Sequence, residues 1–392
     1  MIVSHEISIE LQLIYALCSV QVEKNIEKIR ELLSNPIDWN NIRDISEKNA
    51  VASIIYKTII DLQLNEFIPA SFLKQLKSYY LYNLNRNSIL LAHLKNVLQN
   101  LNQNKIYPAI LKGFSLFTYY EFDFGLRQTG DIDLLIDQEN STRAFGIIQD
   151  LGYRKNPEIS EWHAENWRKH IDHMTPLKKD DIYIEIHENL FPEEIRRVLQ
   201  INSLHNSMII DFYDRKIRRL SNETIVLYLL YHLWKHLRNH DFHLKLLIDI
   251  ARLINFHTVD LKWEILSGYI HKINEKLACK EILYYANKYL NTPIPETIVK
   301  TGITNNFQFH RVVERGKIER FAITSVETVN EQLQNIRGLN NKMKYVIGKI
   351  FPSVEFMNYR YTISNNHELI NFYLKRLFYA LYLLRKKLIN KR

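Results

Sequence analysis

The chain has 392 residues, enough for two or three domains and a large buried core, and its 46% hydrophobic and 24% charged content excludes intrinsic disorder and collagen-like sequence. With only 10 Gly and 9 Pro it has few chain breakers, which favours long helices over a turn-rich all-β fold. The 52 basic against 43 acidic residues leave a net charge of +9, modest for this length and compatible with nucleotides, RNA or an anionic surface as partners.

Two cysteines, Cys18 and Cys279, cannot build a disulfide framework or a four-thiolate zinc site. The N-terminus lacks the basic and apolar regions of a secretion signal. The longest apolar stretch, about residues 224–234, is short of the ~20 residues a bilayer requires. The expectation is a cytoplasmic protein with no membrane partner.

From Ile7 to Asn104 the periodicity is helical. Ile9, Leu11, Ile14 and Leu17 open one apolar face, and Leu84, Leu91, Leu94, Leu98 and Leu101 form the stripe of a long helix. The pattern then changes. Tyr107–Gly113 reads as a buried strand closed by glycine, Phe114–Phe122 as a helix, Gly130–Asp137 as a second strand and Ser141–Leu151 as a helix. Met174–Leu177 and Ile182–His187 read as two further strands with Lys178–Asp181 as the turn, and Ser207–Leu220 as a hairpin. From Ser221 the chain is helical again, with Ser221 or Asn222 as N-cap, later helices at 243–256, 261–273 and 279–290, and a basic terminal helix from about Glu368. The expected class is α+β, with a small mixed-sheet domain at 105–215 between helical regions at 1–104 and 216–392.

Chemistry is expected in the sheet. Asp131 and Asp133, at i and i+2 on one strand, leave the same face and repel each other unless a cation neutralises them. A hard divalent ion, Mg²⁺ or Mn²⁺, meets that need and also binds phosphates. Glu185 alternates with Ile182, Ile184 and Ile186 on another strand, so a neighbouring position would complete a three-carboxylate site. Gly113 closes a turn into a helix, where free N–H groups and the Ser115 hydroxyl can meet a phosphate. Lys112 and Arg127 offer positive charge to a triphosphate, with a structural Lys and a surface Arg as the competing readings. His187, on the Glu185 face, reads either as a phosphate contact or proton shuttle, or as a partner that orients Glu185.

These residues carry a resemblance. Leu-Lys-Gly-Phe-Ser-Leu, then Arg127 with Asp131-Ile-Asp-Leu-Leu-Ile, then Ile-Glu185-Ile-His187, resembles the polymerase-β-type nucleotidyltransferase superfamily. More narrowly, with Gly152-Tyr153, the chain is similar to uncharacterised bacterial nucleotidyltransferases of natural-product and polysaccharide gene clusters. The likeness runs from about residue 70 and takes in Phe351-Pro-Ser353 and the terminal helix with Tyr373, Arg376 and Arg385. One departure is Phe114, where the superfamily has Ser or Gly after the turn glycine. The resemblance implies that Asp131, Asp133 and Glu185 hold the metal, and that Lys112, Gly113, Ser115, Arg127 and His187 meet the nucleotide. It implies transfer of an NMP from an NTP, ATP included, to a hydroxyl or phosphate with release of pyrophosphate. The acceptor is open between a small molecule, sugar, peptide or protein, with RNA less favoured. The alternative on the same fold is a non-catalytic nucleotide-binding or antitoxin-like regulator.

Other signals weigh less. His232 and His236, at i and i+4 on one helix, could bind zinc, but solvated or hydrogen-bonding histidines are the plainer reading, shared by nearby His240 and His243. Trp162 and Trp167, with His163, His170 and His173, read as a flap over a base or as loop anchors.

Overall fold

The computed structural model describes residues 7–155, 174–200, 204, 207–238, 242–274, 276–299, 308–315, 339–352, 354, 357, 363 and 365–389. The expected tryptophan and histidine flap at 162–173 lies outside the described residues, as does His240.

The N-terminal helices are α1 (Ile9–Leu17), α2 (Ile26–Leu33), α3 (Trp39–Lys48), α4 (Ala52–Asp61) and α5 (Ala70–Gln103). Polar caps start two of them. The Ser8 hydroxyl accepts from the Leu11 N–H, and the Asp38 carboxylate from the N–H groups of Asn40 and Asn41. The 34 residues of α5 make it about 50 Å long. Its stripe holds at Leu94, Leu98 and Leu101, which are fully buried, while Leu91 packs only partly and Leu84 lies exposed. In place of Leu84 the buried face continues through Asn87 and Asn83. These amides face the 124–127 loop, whose carbonyls need donors. Asn87 Nδ2 donates to Phe124 O and Arg127 O, both at 2.7 Å, and Asn83 Nδ2 to Gly125 O at 3.3 Å. The long helix thereby fixes the segment that leads into the site.

Seven strands form one mixed sheet: β1 (Ala109–Leu111), β2 (Asp131–Leu135), β3 (Arg154–Lys155), β4 (Leu177–Lys179), β5 (Ile182–His187), β6 (Met208–Phe212) and β7 (Arg215–Arg219). Their order is β3-β4-β5-β2-β1-β7-β6. β2 runs parallel to β5 and antiparallel to β1, which pairs in parallel with β7. The segment Phe114–Phe122 forms a 3-10 helix over Gly113–Tyr120. The β4–β5 turn is tighter than the sequence pattern indicates. Lys178 and Lys179 belong to the ladder, and Asp180 and Asp181, at φ 49° and 59°, make the turn alone. Two consecutive positive φ values match the twist of a two-residue hairpin, and Tyr213 and Asp214 repeat the device between β6 and β7. The short edge strand β3 has no alternation long enough to be read from sequence. α6 (Gln138–Asp150), capped by Asp137, follows β2, and α7 (Glu193–Leu199) follows β5.

The later helices are α8 (Asn222–Arg238), α9 (Leu244–Phe256), α10 (Trp263–Lys272) and α11 (Lys276–Leu290). The Thr224 N–H reaches the Ser221 hydroxyl at 3.3 Å, and Glu223 accepts from the Lys262 N–H at 2.9 Å, tying α8 to the start of α10. Further helices span Leu339–Ile350 and Asn366–Ile389. Among the described residues, no helix is long and apolar enough to cross a membrane.

Candidate active site

The pleat of two neighbouring strands builds the site. On β2, Ile132 and Leu134 point into the core and Asp131 and Asp133 leave the other face; on β5, Ile182, Ile184 and Ile186 are buried while Tyr183, Glu185 and His187 face the aspartates' side. The parallel register sets Asp133 opposite Glu185, Asp131 opposite Tyr183 and Leu135 opposite His187. From the other neighbour, Leu111 stands opposite Asp133, so the next residue, Lys112, reaches across.

Asp133 is the hub, 2% exposed. Its Oδ1 lies 2.9 Å from Lys112 Nζ and 2.8 Å from His187 Nε2, which itself lies 3.7 Å from Glu185 Oε2. Ligand atoms of Asp133, Glu185 and His187 all fall within 4.8 Å of one another. Among the described residues this is the one group of three or more such side chains placed to share a metal ion. Asp131 of the expected trio is not in this group. His187 joins Asp133 and Glu185 at the centre, and it bonds Asp133 more closely than Glu185.

The electrostatics follow from crowding. Burial, then the charges of Asp133 and Asp131, push the Glu185 carboxyl up to about 8. Asp131 is raised, first by the charge of Asp133 and then by burial. Asp133 goes the other way: burial opposes its charge, but Lys112 and the His187 hydrogen bond hold it well below the usual carboxylate range. Burial likewise works against the Lys112 ammonium, and Asp133, Tyr228, Asp131 and Glu185 outweigh it, raising its pKa. Lys112 thus contacts Asp133 and feels the charge of all three carboxylates.

The turn beneath them is specialised. Lys112 sits at φ 44° and Gly113 at φ 29°, backbone that favours glycine, and a Cβ on Gly113 would come within 3.0 Å of Thr129 Cγ2. Ser115 serves this turn: its N–H and its hydroxyl both donate to the Lys112 carbonyl at 2.8 Å.

Arg127 is not the surface residue of the competing reading, for its side chain is buried and paired within the protein. Its Nε and Nη2 donate to the two carboxylate oxygens of Asp249 on α9, each at 2.8 Å, and Nη1 to Thr129 Oγ1 at 3.2 Å. The guanidinium is also buried, because Asp249 lies inside the apolar run of α9 and needs a cation there. The Tyr120 hydroxyl completes the group, donating to Asp249 Oδ1 at 2.7 Å.

Sequence reasoning missed Asp249, whose signal was an acid in the apolar run Leu246–Ala251. It also did not single out Tyr228 and Lys235 on α8. Tyr228 and Lys235 act electrostatically on Lys112 and Glu185, and His232 is half-buried beside them, its pKa lowered well below the ordinary value first by desolvation and then by Lys112. The His232 and His236 rings pack edge to face, 4.5 Å between centroids, with Tyr228 stacked on His232. His243 Nδ1 donates to the Lys48 carbonyl at 2.8 Å.

A strand pair thus gathers acids and a histidine that could hold a metal ion, beside a lysine and a strained glycine turn. Residues 35–291 match the family described as uncharacterised nucleotidyltransferase, and the chain belongs to that family. The match begins ahead of residue 70 and ends before the Phe351 segment. No curated protein and no solved structure matches the chain.

Proposed function

We propose that the protein is a metal-dependent nucleotidyltransferase that moves an NMP from an NTP to an acceptor hydroxyl or phosphate. The observation that carries this reading is the register of Asp133 against Glu185, with Lys112 on Asp133 and Asp131 one pleat away. Crowded like charges at that spacing fit a divalent cation, since without one the charge of Asp133 and burial raise Asp131, and burial and the two aspartates push Glu185 up to about 8. Asp131, Asp133 and Glu185 would hold Mg²⁺ or Mn²⁺, which when bound neutralises phosphate charge and supplies Lewis acidity. The transferase domain, on a polymerase-β-type fold, runs from about residue 105 through β7 to Arg219, past the expected 215, because β7 pairs with β1 in the same sheet, and helical regions flank it.

The residues' own tasks follow from their contacts. His187 and Lys112 fix the Asp133 carboxylate. Gly113 brings the turn backbone close to the phosphates, and Ser115 holds that turn. The acceptor oxygen attacks the α-phosphorus, the bond to the β-phosphate oxygen breaks, pyrophosphate leaves with the bonding pair, and a carboxylate of the cluster takes the acceptor's proton.

Thermal unfolding tests the reading directly. Mg²⁺ with a non-hydrolysable NTP raises the melting temperature more than either alone, because the phosphates complete the metal's shell. The Asp131→Ala/Asp133→Ala double variant loses this rise. An equal rise in that variant overturns the assignment.

A further inference from the structure

The positive charge of this chain is concentrated at one end. Residues 339–392 hold 11 basic side chains against 2 acidic ones, a surplus of +9, which equals the net charge of the whole protein. The 41 basic and 41 acidic residues before them cancel. The segment also lies beyond the family match, which ends at residue 291. A neutral chain thus carries a strongly basic end, a separation that points to an anionic partner.

The terminal helix, Asn366–Ile389, is held by one side against the helix Leu339–Ile350 and the residues that follow it. The Tyr373 hydroxyl donates to the Pro352 carbonyl at 2.6 Å, and the buried Arg376 donates through Nε to the Ile350 carbonyl at 3.2 Å. The Phe351 and Tyr373 rings lie 5.9 Å apart. Round the helix from Tyr373 and Arg376, Ile370, Leu374, Phe378, Leu381 and Tyr382 form an apolar stripe about 120° wide and ~18 Å long. All five are in the open, at 45% to 65% exposure. Lys375 and Arg385, both exposed, lie at the edge of this stripe and at its C-terminal end. Glu368, in the first turn, is the helix's one acid.

An exposed stripe of large apolar side chains edged by cations suits the boundary between hydrocarbon and anionic headgroups. A second copy of this chain would set +9 against +9. A nucleic acid would neutralise the cations but would give Ile370, Leu374 and Leu381 no apolar surface to enter. Among the described residues no helix is long and apolar enough to cross a bilayer. The expectation of no membrane partner rests on the lack of a spanning segment, which a helix lying in the surface does not need.

We infer that the terminal helix binds the surface of a membrane rich in anionic lipid, with the Ile370–Tyr382 stripe at the acyl boundary and the basic residues at the headgroups. This goes beyond the nucleotidyl-transfer reading and does not depend on it.

The test is co-sedimentation of the full chain with vesicles of phosphatidylcholine alone, or of phosphatidylcholine and phosphatidylglycerol in equal parts. The protein binds the mixed vesicles at least about tenfold more tightly than the neutral ones, and added salt releases part of it. Leu374→Ser/Phe378→Ser, at exposed positions, weakens binding to the mixed vesicles by at least about tenfold, as expected when two apolar side chains no longer enter hydrocarbon. Lys375→Gln/Arg385→Gln weakens it about 25-fold, at roughly fivefold per charge. Circular dichroism and the melting temperature of both variants match wild type. Equal binding to neutral and mixed vesicles, or binding to neither, overturns the inference. Mixed-vesicle binding untouched by Leu374→Ser/Phe378→Ser also overturns it, leaving the helix a purely electrostatic role. So does a dimer in light scattering that the apolar variant dissociates, or tighter binding to a single-stranded RNA oligomer than to the mixed vesicles.

Discussion

Two buried charged groups lie a few residues apart, and they are built on opposite principles. At Arg127–Asp249 one guanidinium meets one carboxylate through two bonds of 2.8 Å, and Tyr120 and Thr129 satisfy further atoms. At the acid cluster, Lys112 contacts Asp133 at 2.9 Å, and its charge acts on Asp131 and Glu185 as well. The first group is balanced and joins the 124–129 segment to α9. The second crowds three carboxylates, so that two of them, Asp131 and Glu185, are raised toward their protonated forms. Balance marks a structural joint, and imbalance marks a place built for a ligand of opposite charge.

Breaking the balanced group has the largest consequence. Arg127→Ala leaves Asp249 buried with its cation removed, an expected loss of about 3–5 kcal/mol in a urea titration. A variant of wild-type stability with weakened NTP binding would return Arg127 to the nucleotide.

Glu185→Gln probes the unbalanced group, and its effects separate stability from activity. The folded carboxyl titrates near 8 against an ordinary 4.5, so the native state favours its protonated form. That stabilisation is complete below pH 4.5 and is lost as pH rises through 8. The metal-free protein should melt several degrees lower at pH 8 than at pH 5, and Glu185→Gln should flatten the slope. The same variant folds and binds NTP, yet transfers about 10²-fold more slowly in a pyrophosphate-release assay. A pH slope unchanged by the substitution assigns the slope to other groups, and full activity removes Glu185 from the chemistry.

The smallest effect sharpens the comparison from within the balanced group. Tyr120→Phe deletes one hydrogen bond to Asp249 and keeps the ion pair, costing about 1.5 kcal/mol by thermal or chemical unfolding. A loss as large as that of Arg127→Ala would mean that the tyrosine, rather than the guanidinium, satisfies Asp249.

Much of the site was legible before any coordinates. Asp-x-Asp and the alternating Ile-Tyr-Ile-Glu-Ile-His are period-two patterns, and a strand's two faces follow from that period alone. Lys112 was legible as a charge beside the glycine turn, although its contact with Asp133 depends on β1 lying beside β2. Arg127's spacing from Asp131 describes chain distance and could not reveal its partner Asp249, 122 residues away, or that its side chain is buried rather than on the surface. The long helix misled at Leu84, since apolar periodicity does not reveal that a loop's carbonyls require Asn83 and Asn87 on the buried face.

By itself the sequence determined which residues alternate, where helices are capped and broken, and that two strands each present acids on a polar face. These are local properties, set by backbone geometry over a few residues. Only the tertiary structure decided the register of Asp133 against Glu185, the placement of Lys112 and His187 on one carboxylate oxygen, and the assignment of Arg127 to Asp249. Such pairings depend on long-range packing, in which each buried charge takes the nearest partner that the folded chain delivers.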